Sequence, residues 1–157
     1  MKSKIMKYIP LFLLSVFLLI ACNNKKVFKT QKELENSVWT YSDVFRSVIP
    51  VKDITKPYDI YFSIEHTENY PFQNIYLRIS DDFHGKINID TINFDLYDKY
   101  GIAKGKKHGK NYNVSILLRK SFKFKKPGDY KIEIEQFTRT DSLEGVTGLG
   151  FSLNAAK

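Results

Sequence analysis

Alternation with a period of two runs through most of this chain and restricts it to a β fold. Tyr58, Ile60, Phe62 and Ile64 interleave with Asp59, Tyr61, Ser63 and Glu65. Successive side chains of a strand point to opposite faces, so the pattern describes a strand buried on one side and wet on the other. Ile75, Leu77 and Ile79 alternate with Asn74, Tyr76, Arg78 and Ser80 in the same way, and Tyr130, Ile132 and Ile134 with Lys131, Glu133 and Glu135. Phe122 and Phe124 form a shorter piece with lysines on the other face. Lys126-Pro127-Gly128-Asp129 has type II turn chemistry, with Pro supplying the fixed φ and Gly the positive one. Ile87 and Ile89 sit at odd positions, whereas Ile92, Phe94 and Leu96 sit at even ones. The slip predicts a β-bulge or corner near Asp90-Thr91. Val38 to Val44, with Trp39, starts the sheet system, and the last strand falls around Leu149 to Leu153. The sum is an all-β chain, an antiparallel sandwich of seven or eight strands, with almost no helical period.

The first residues follow another rule. Lys2, Lys4 and Lys7 precede an apolar run from Tyr8 to Ile20 that contains Pro10. Ala21 then stands before Cys22, the single cysteine of the chain. A basic start, an apolar stretch of secretory length and a small residue at the cut describe an export signal. A membrane span needs about 20 apolar residues, more than are present. Leu19-Ile20-Ala21-Cys22 matches the lipobox of bacterial lipoproteins, which implies lipidation of Cys22 and cleavage before it. The expected organisation is a signal peptide over residues 1–21, a tether over 22–36 and a β-sandwich domain over 37–157. Thr30-Gln31-Lys32-Glu33 has capping-box spacing, so any helix in the tether is a turn or two.

Removing the three signal lysines lowers the formal net charge from +8 to +5. No basic helix or nucleic-acid module accompanies that mild excess, so nucleic acid is not a partner. A negatively charged envelope surface suits it better. With Cys22 carrying lipid, no disulfide forms within the chain, and stability must come from the core. Twelve phenylalanines and ten tyrosines supply large buried areas for one.

Catalytic chemistry finds no foothold. His66, His84 and His108 lack zinc-ligand spacing and read as surface or loop residues. No nucleophile elbow or zinc-protease motif occurs. Asp81, Asp82, Asp90, Asp95 and Asp98 fit no calcium loop and read as exposed strand-end carboxylates. No catalytic residue, metal or cofactor is expected. Lys104, Lys106 and Lys107 lie in a stretch that reads as a solvated hairpin loop, with contact to anionic lipid or lipopolysaccharide as its functional alternative. Tyr61 and Tyr76 share the outward parity of successive strands, with Arg78 beside Tyr76. They read as a cross-strand aromatic pair, or else as a face that stacks on sugars or a partner chain.

Several blocks together resemble a known family. Tyr70-Pro71-Phe72-Gln73-Asn74-Ile75-Tyr76-Leu77, Asp90-Thr91-Ile92-Asn93-Phe94-Asp95-Leu96 and Pro127-Gly128-Asp129-Tyr130 follow the lipobox in order. Ile134-Glu135-Gln136-Phe137-Thr138-Arg139, Leu143-Glu144-Gly145-Val146 and Gly148-Leu149-Gly150 complete the series. The sequence is similar in these blocks to the gliding-motility lipoproteins of the GldH type, from Bacteroidota. The resemblance implies a role in the envelope machinery that moves adhesins and is linked to type IX secretion, with no enzyme activity. Asn23-Asn24-Lys25-Lys26 lacks the acidic run linked to surface export in that phylum, which points to a periplasm-facing lipoprotein. The expectation is a membrane-tethered, non-catalytic domain that binds another envelope or motility protein. The alternative is a surface-exposed glycan-binding module using Tyr61, Tyr76 and Arg78.

Overall fold

The computed structural model describes residues 26–156, so the signal segment and Cys22 lie outside the described residues. Eleven strands follow one another: β1 (Lys26–Glu33), β2 (Val38–Thr40), β3 (Phe45–Val51), β4 (Tyr58–Thr67), β5 (Asn74–Asp81), β6 (Asn88–Asp95), β7 (Lys106–His108), β8 (Asn111–Phe122), β9 (Gly128–Gln136), β10 (Ser142–Glu144) and β11 (Val146–Ala155). Three of them, β2, β7 and β10, have only three residues. The other eight have seven to twelve residues and agree in number with the seven or eight expected, although β1 is not among the strands that alternation marks. A single 3-10 turn, Glu35–Ser37, interrupts them among the described residues.

Every pairing is antiparallel. One sheet has the order β1-β11-β4-β8-β7, the other β3-β9-β5-β6, and β10-β2 forms a small ribbon. The inward residues of β4 (Tyr58, Ile60, Phe62, Ile64) are all buried, as are Ile75, Leu77 and Ile79 of β5 and Ile132 and Ile134 of β9. Aromatic edges lock the layers together. Phe62 packs against Phe45 at 5.5 Å between ring centroids and against Trp39 at 6.3 Å. The resulting layers form a sandwich of the kind expected from half-buried strands.

Three expectations are corrected. The tether loses residues 26–33, which form β1 and pair with β11 from Lys26↔Asn154 to Glu33↔Gly148. Phe28, Thr30 and Lys32 are its half-buried side, so an edge strand with one aromatic hides behind a polar composition. The expected bulge near Asp90 does not exist: β6 pairs with β5 without a break from Asn88 to Asp95. Ile87 and Ile89 break the phase because they are exposed, at 74% and 66%. The bulges lie elsewhere, where β1 meets β11 between Lys26 and Phe28, where β4 meets β8 around Ile60 and where β11 meets β4 between Val146 and Gly148. Finally, Gly128 already belongs to β9 with φ of 155°, far from the value of about +80° that a type II turn needs at that position.

Strand directions give the sandwich two distinct ends. β1 begins at the proximal end, together with the connectors 52–57, 82–87 and 123–127. Phe83, Phe122, Phe124 and Tyr130 stack there with centroid distances between 4.6 and 6.3 Å and close the core. The distal end carries the β2–β10 ribbon and the connectors 68–73, 96–105 and 137–141.

Candidate interaction surfaces

The residues expected to share one contact surface are dispersed. Tyr61 lies on β4 and Tyr76 on β5, and these consecutive strands belong to different sheets. Each points outward, so the two rings face opposite sides of the sandwich and form no cross-strand pair. A combined site of Tyr61, Tyr76 and Arg78 is therefore not assembled. Tyr61 instead borders a polar trough of about 460 Å³ with Lys29, Gln31, Ser63, Glu65 and Asn113.

Tyr76 and Arg78 help to build a different feature. Tyr76 is 44% exposed, and two further aromatics join it at the distal end, Phe72 at 42% and Phe137 at 46%. They border a shallow cleft of about 740 Å³ with Asn74, Thr138 and Arg139. The Arg78 guanidinium donates to Glu135 at 2.8 Å and lies 4.8 Å from the centre of the Phe137 ring. The Glu135 hydrogen bond and charge raise the Arg78 pKa further, so its charge is permanent.

The loop that carries Phe137 is built from below. Gln136 is buried at the end of β9. Its Nε2 donates to the Thr140 carbonyl at 3.0 Å, and its Oε1 accepts from the Thr138 amide at 3.0 Å and from the Thr138 hydroxyl at 2.6 Å. The Phe137 amide donates to the Tyr76 carbonyl at 2.8 Å, and the Tyr41 hydroxyl to the Thr138 carbonyl at 2.6 Å. A satisfied buried amide of this kind fixes a loop in one geometry. The ring of Phe137 is thus held outward in water by a rigid support. Phe72 and Phe137 carry no periodic signal in the sequence, because both stand in loops.

The lysine stretch divides. Lys106 and Lys107 lie on β7, a short exposed edge strand turning through Gly109-Lys110 into β8. Lys104 pairs with Asp95 at 3.2 Å and Lys107 with Glu68 at 3.5 Å. Edge lysines discourage a sheet from pairing with another chain. The stretch sits at the distal end, away from where β1 begins.

His66 overturns the expectation of a surface histidine. It is fully buried on β4, on the same parity as Ile60, Phe62 and Ile64. Tyr97, Tyr112 and Tyr70 surround it at ring distances of 5.3, 5.7 and 6.0 Å. Nδ1 lies 3.1 Å from the Thr67 carbonyl, and Nε2 has no hydrogen-bond partner among the described residues. Nδ1 therefore carries the proton of the neutral ring. Burial holds the His66 pKa below its ordinary value, against a smaller opposite pull from the Thr67 carbonyl. A histidine depressed in the folded state binds its proton more readily when unfolded. Its stabilising contribution is complete above the unfolded value of about 6.5 and falls as pH drops below it. The His66→Phe variant should therefore lose less melting temperature than the native chain between pH 7 and pH 5. Parallel curves would show that carboxylates alone set the acid sensitivity.

Among the described residues no group of three or more histidines, cysteines or acids could hold a metal ion. No helix among them is long and apolar enough to cross a membrane.

Comparison with known proteins matches this arrangement to relatives across nearly its whole length. The gliding motility lipoprotein GldH of Flavobacterium johnsoniae is 29% identical over 151 residues, covering 91% of this chain and 93% of that protein. The GldH homolog of Christiangramia forsetii is 25% identical, with coverage of 91% and 92%. A solved carbohydrate-binding module, TmCBM61 with β-1,4-galactotriose, aligns over 84% of this chain and 88% of its own at 11% identity, with a TM-score of only 0.31. A family two carbohydrate esterase from Cellvibrio japonicus scores 0.29 at 14% identity, over 83% of this chain and 36% of its own. Scores this low carry no functional weight. The GldH lipoprotein model matches residues 26–153, which begins at the first residue of β1. The chain belongs to the GldH lipoprotein family.

Proposed function

We propose that this chain is a lipid-anchored, non-catalytic docking component of the gliding-motility apparatus linked to type IX secretion. Acyl chains on Cys22 hold it to a membrane, facing the periplasm. It binds another envelope protein through the distal aromatic cleft. One observation carries the docking assignment: Phe72, Tyr76 and Phe137 are exposed together, and the buried Gln136 amide fixes the loop that presents Phe137. A monomer gains nothing in core packing by holding three aromatics in water. Exposed aromatics beside an arginine are the composition that concentrates binding energy at protein interfaces. The occupant that fits is a protein segment offering an apolar or aromatic side chain to the cleft.

The family membership supports the motility role, since the Flavobacterium johnsoniae relative is named a gliding motility lipoprotein. The lipobox supports the anchor. One chain gives only marginal attachment and several give a firm one, because each buried methylene contributes about 0.8 kcal/mol.

The test uses a gliding host carrying chromosomal variants. The Cys22→Ser chain should leave the envelope pellet for the soluble fraction. The Tyr76→Ala/Phe137→Ala chain should fold, stay in the pellet and still abolish colony spreading, since two central anchors together weaken binding by about thirtyfold or more. Normal spreading by that double variant removes the cleft from the mechanism. A glycan-array signal that depends on Tyr76 and Phe137 replaces the protein partner with a sugar.

A further inference from the structure

The proximal end of the sandwich differs in charge from the distal end, and the polarity coincides with the place where the chain leaves for its anchor. Connectors 52–57, 82–87 and 123–127 contain Lys52, Lys56, Lys86, Lys123, Lys125 and Lys126 against two acids, Asp53 and Asp82. All six lysines are exposed. Only Lys56 makes an ion pair among the described residues, with Asp53 at 3.2 Å. The distal connectors 68–73, 96–105 and 137–141 hold three carboxylates (Glu68, Asp98, Asp141) and three cations (Lys99, Lys104, Arg139) and are neutral. The net charge of the whole chain would suggest a diffuse basic surface; the fold concentrates it at one end.

Apolar side chains stand among these lysines. Ile87 is 74% exposed, Ile89 66% and Val27 51%. Ile87 occupies the β5–β6 turn beside Lys86, and Val27 follows the first residue of β1. Isolated exposed isoleucines are ordinary. Two of them with Val27 on the single basic end of a domain give a surface with two components, cations for phosphate and apolar wedges for the boundary beneath it.

Chain length fixes what this end faces. Only residues 23–25 separate Cys22 from Lys26, the first residue of β1. Four extended residue steps span at most about 14 Å. An acylated Cys22 at a bilayer surface therefore keeps the first residue of β1 within about 14 Å of the headgroups, less than about two Debye lengths at physiological ionic strength and well within one at low salt, where surface charge is felt.

We infer that the proximal end is a membrane-docking platform. Lys86, Lys123, Lys125 and Lys126 bind anionic phospholipid headgroups, Ile87 seats at the headgroup boundary, and the aromatic cleft points away from the bilayer. The inference rests on the anchored reading of Cys22. It deepens that reading by fixing the domain's orientation: the lipid supplies attachment, the platform supplies posture. Held this way, the cleft stands the full length of the sandwich away from the membrane, facing partners instead of lipid.

The experiment uses the full lipidated chain in vesicles of phosphatidylcholine, with or without phosphatidylglycerol at about one third. The Cys22 sulfur is blocked by lipid, so Ile87→Cys and, separately, Tyr100→Cys each provide one thiol for a nitroxide label. At low salt the label at position 87 should become severalfold less accessible to an aqueous relaxation agent when phosphatidylglycerol is present. The label at position 100, in a distal connector, should stay accessible. The quadruple variant Lys86→Gln, Lys123→Gln, Lys125→Gln, Lys126→Gln should lose the protection, as should 1 M salt. Each lysine near an anionic surface contributes roughly fivefold to partition, so four removed lower the docked population by well over tenfold. Unchanged Trp39 fluorescence verifies that the variant is folded.

Protection that survives lysine removal, protection at position 100, or none at 87 each overturns the platform. Protection at 87 in cells but not in vesicles assigns this end to an acidic protein and overturns it too. Flotation of the chain with the vesicles reads the anchor separately. A chain that does not float defeats the anchored reading, whereas one that floats with position 87 exposed defeats only the docking.

Discussion

Replacing Trp39 with alanine should remove about 3–5 kcal/mol of unfolding free energy. The residue is completely buried on β2, a strand of three residues that pairs only with β10. Its ring packs on Phe62 of the five-stranded sheet at 6.3 Å, and its indole N–H donates to the Asp43 carbonyl at 2.9 Å. Asp43 continues the arrangement, accepting from the Thr40 hydroxyl at 2.7 Å and from Lys32 of β1 at 3.3 Å. The Thr40 hydrogen bond, with help from Lys32, holds the Asp43 carboxyl below its ordinary pKa. The indole thus closes the distal end of the core and ties the ribbon to β4. Its loss leaves a cavity and also a part-buried carbonyl without its donor, and both terms destabilise. A domain of this size has about 5–15 kcal/mol in total, so the variant should unfold at a much lower urea midpoint with an unchanged slope. The Trp39→Phe control keeps one ring, loses the N–H and part of the indole's bulk, and should cost less than the alanine variant, about 2 kcal/mol. Equal midpoints for the two variants would place the stabilisation in the hydrogen bond, not in the packing.

How far such a core is legible beforehand depends on which face of a strand the composition marks. Strands β4, β5 and β9 announce themselves because three or four large apolar residues recur at one parity, and all of them but the half-buried Tyr130 are buried. The same rule, carried two residues beyond Ile64, puts His66 inside. Its chemistry suggests a surface residue, whereas its parity places it in the core. β1 fails for the opposite reason. An edge strand over the margin of a sandwich needs one good contact, and Phe28 supplies it against Phe151 at 6.4 Å. Apart from Val27, which faces water, its other positions are charged or polar, so no alternation appears. Ile87 and Ile89 show the converse error, since apolar residues at a regular spacing need not be buried. Parity also says nothing about partnership. Tyr61 and Tyr76 both point outward, but the connector 68–73 carries the chain from one sheet to the other, and outward then means opposite directions. The aromatic cleft was hidden because Phe72 and Phe137 come from loops 65 positions apart, brought together by the pairing of β5 with β9.

Removing Arg119 should have an effect almost as large as removing Trp39, and with a distinct pH dependence. The bulge around Ile60 sets Arg119 of β8 opposite Ile60, on the core-facing side of the five-stranded sheet. From there its guanidinium reaches across the sandwich to Asp81 of β5 at 3.3 Å. The Asp81 side chain is 2% exposed and also accepts from the Phe83 amide at 3.2 Å. Burial raises the Asp81 carboxyl above its ordinary pKa, while the Phe83 amide and then the Arg119 charge pull it back. Asp90 is a second, looser partner of Arg119 at 3.9 Å, and it is half exposed. The Arg119→Leu chain keeps the buried carboxylate and loses its cation, which should cost about 3 kcal/mol at pH 7. Without the cation the Asp81 pKa climbs further. An acid whose folded pKa lies above the unfolded one stabilises the fold when protonated, and that gain disappears as pH rises through the folded value. The penalty of Arg119→Leu should therefore be small near pH 4 and grow towards neutrality, the reverse of ordinary acid denaturation. The Asp81→Leu/Arg119→Leu chain should recover most of the loss, because an apolar pair of similar volume replaces two desolvated charges, and the cycle of four chains isolates the coupling. A cost below about 1 kcal/mol, equal at pH 4 and pH 7, would mean that solvent reaching Arg119 screens the pair and that the two sheets are held at this point by Phe83 and Phe122 instead.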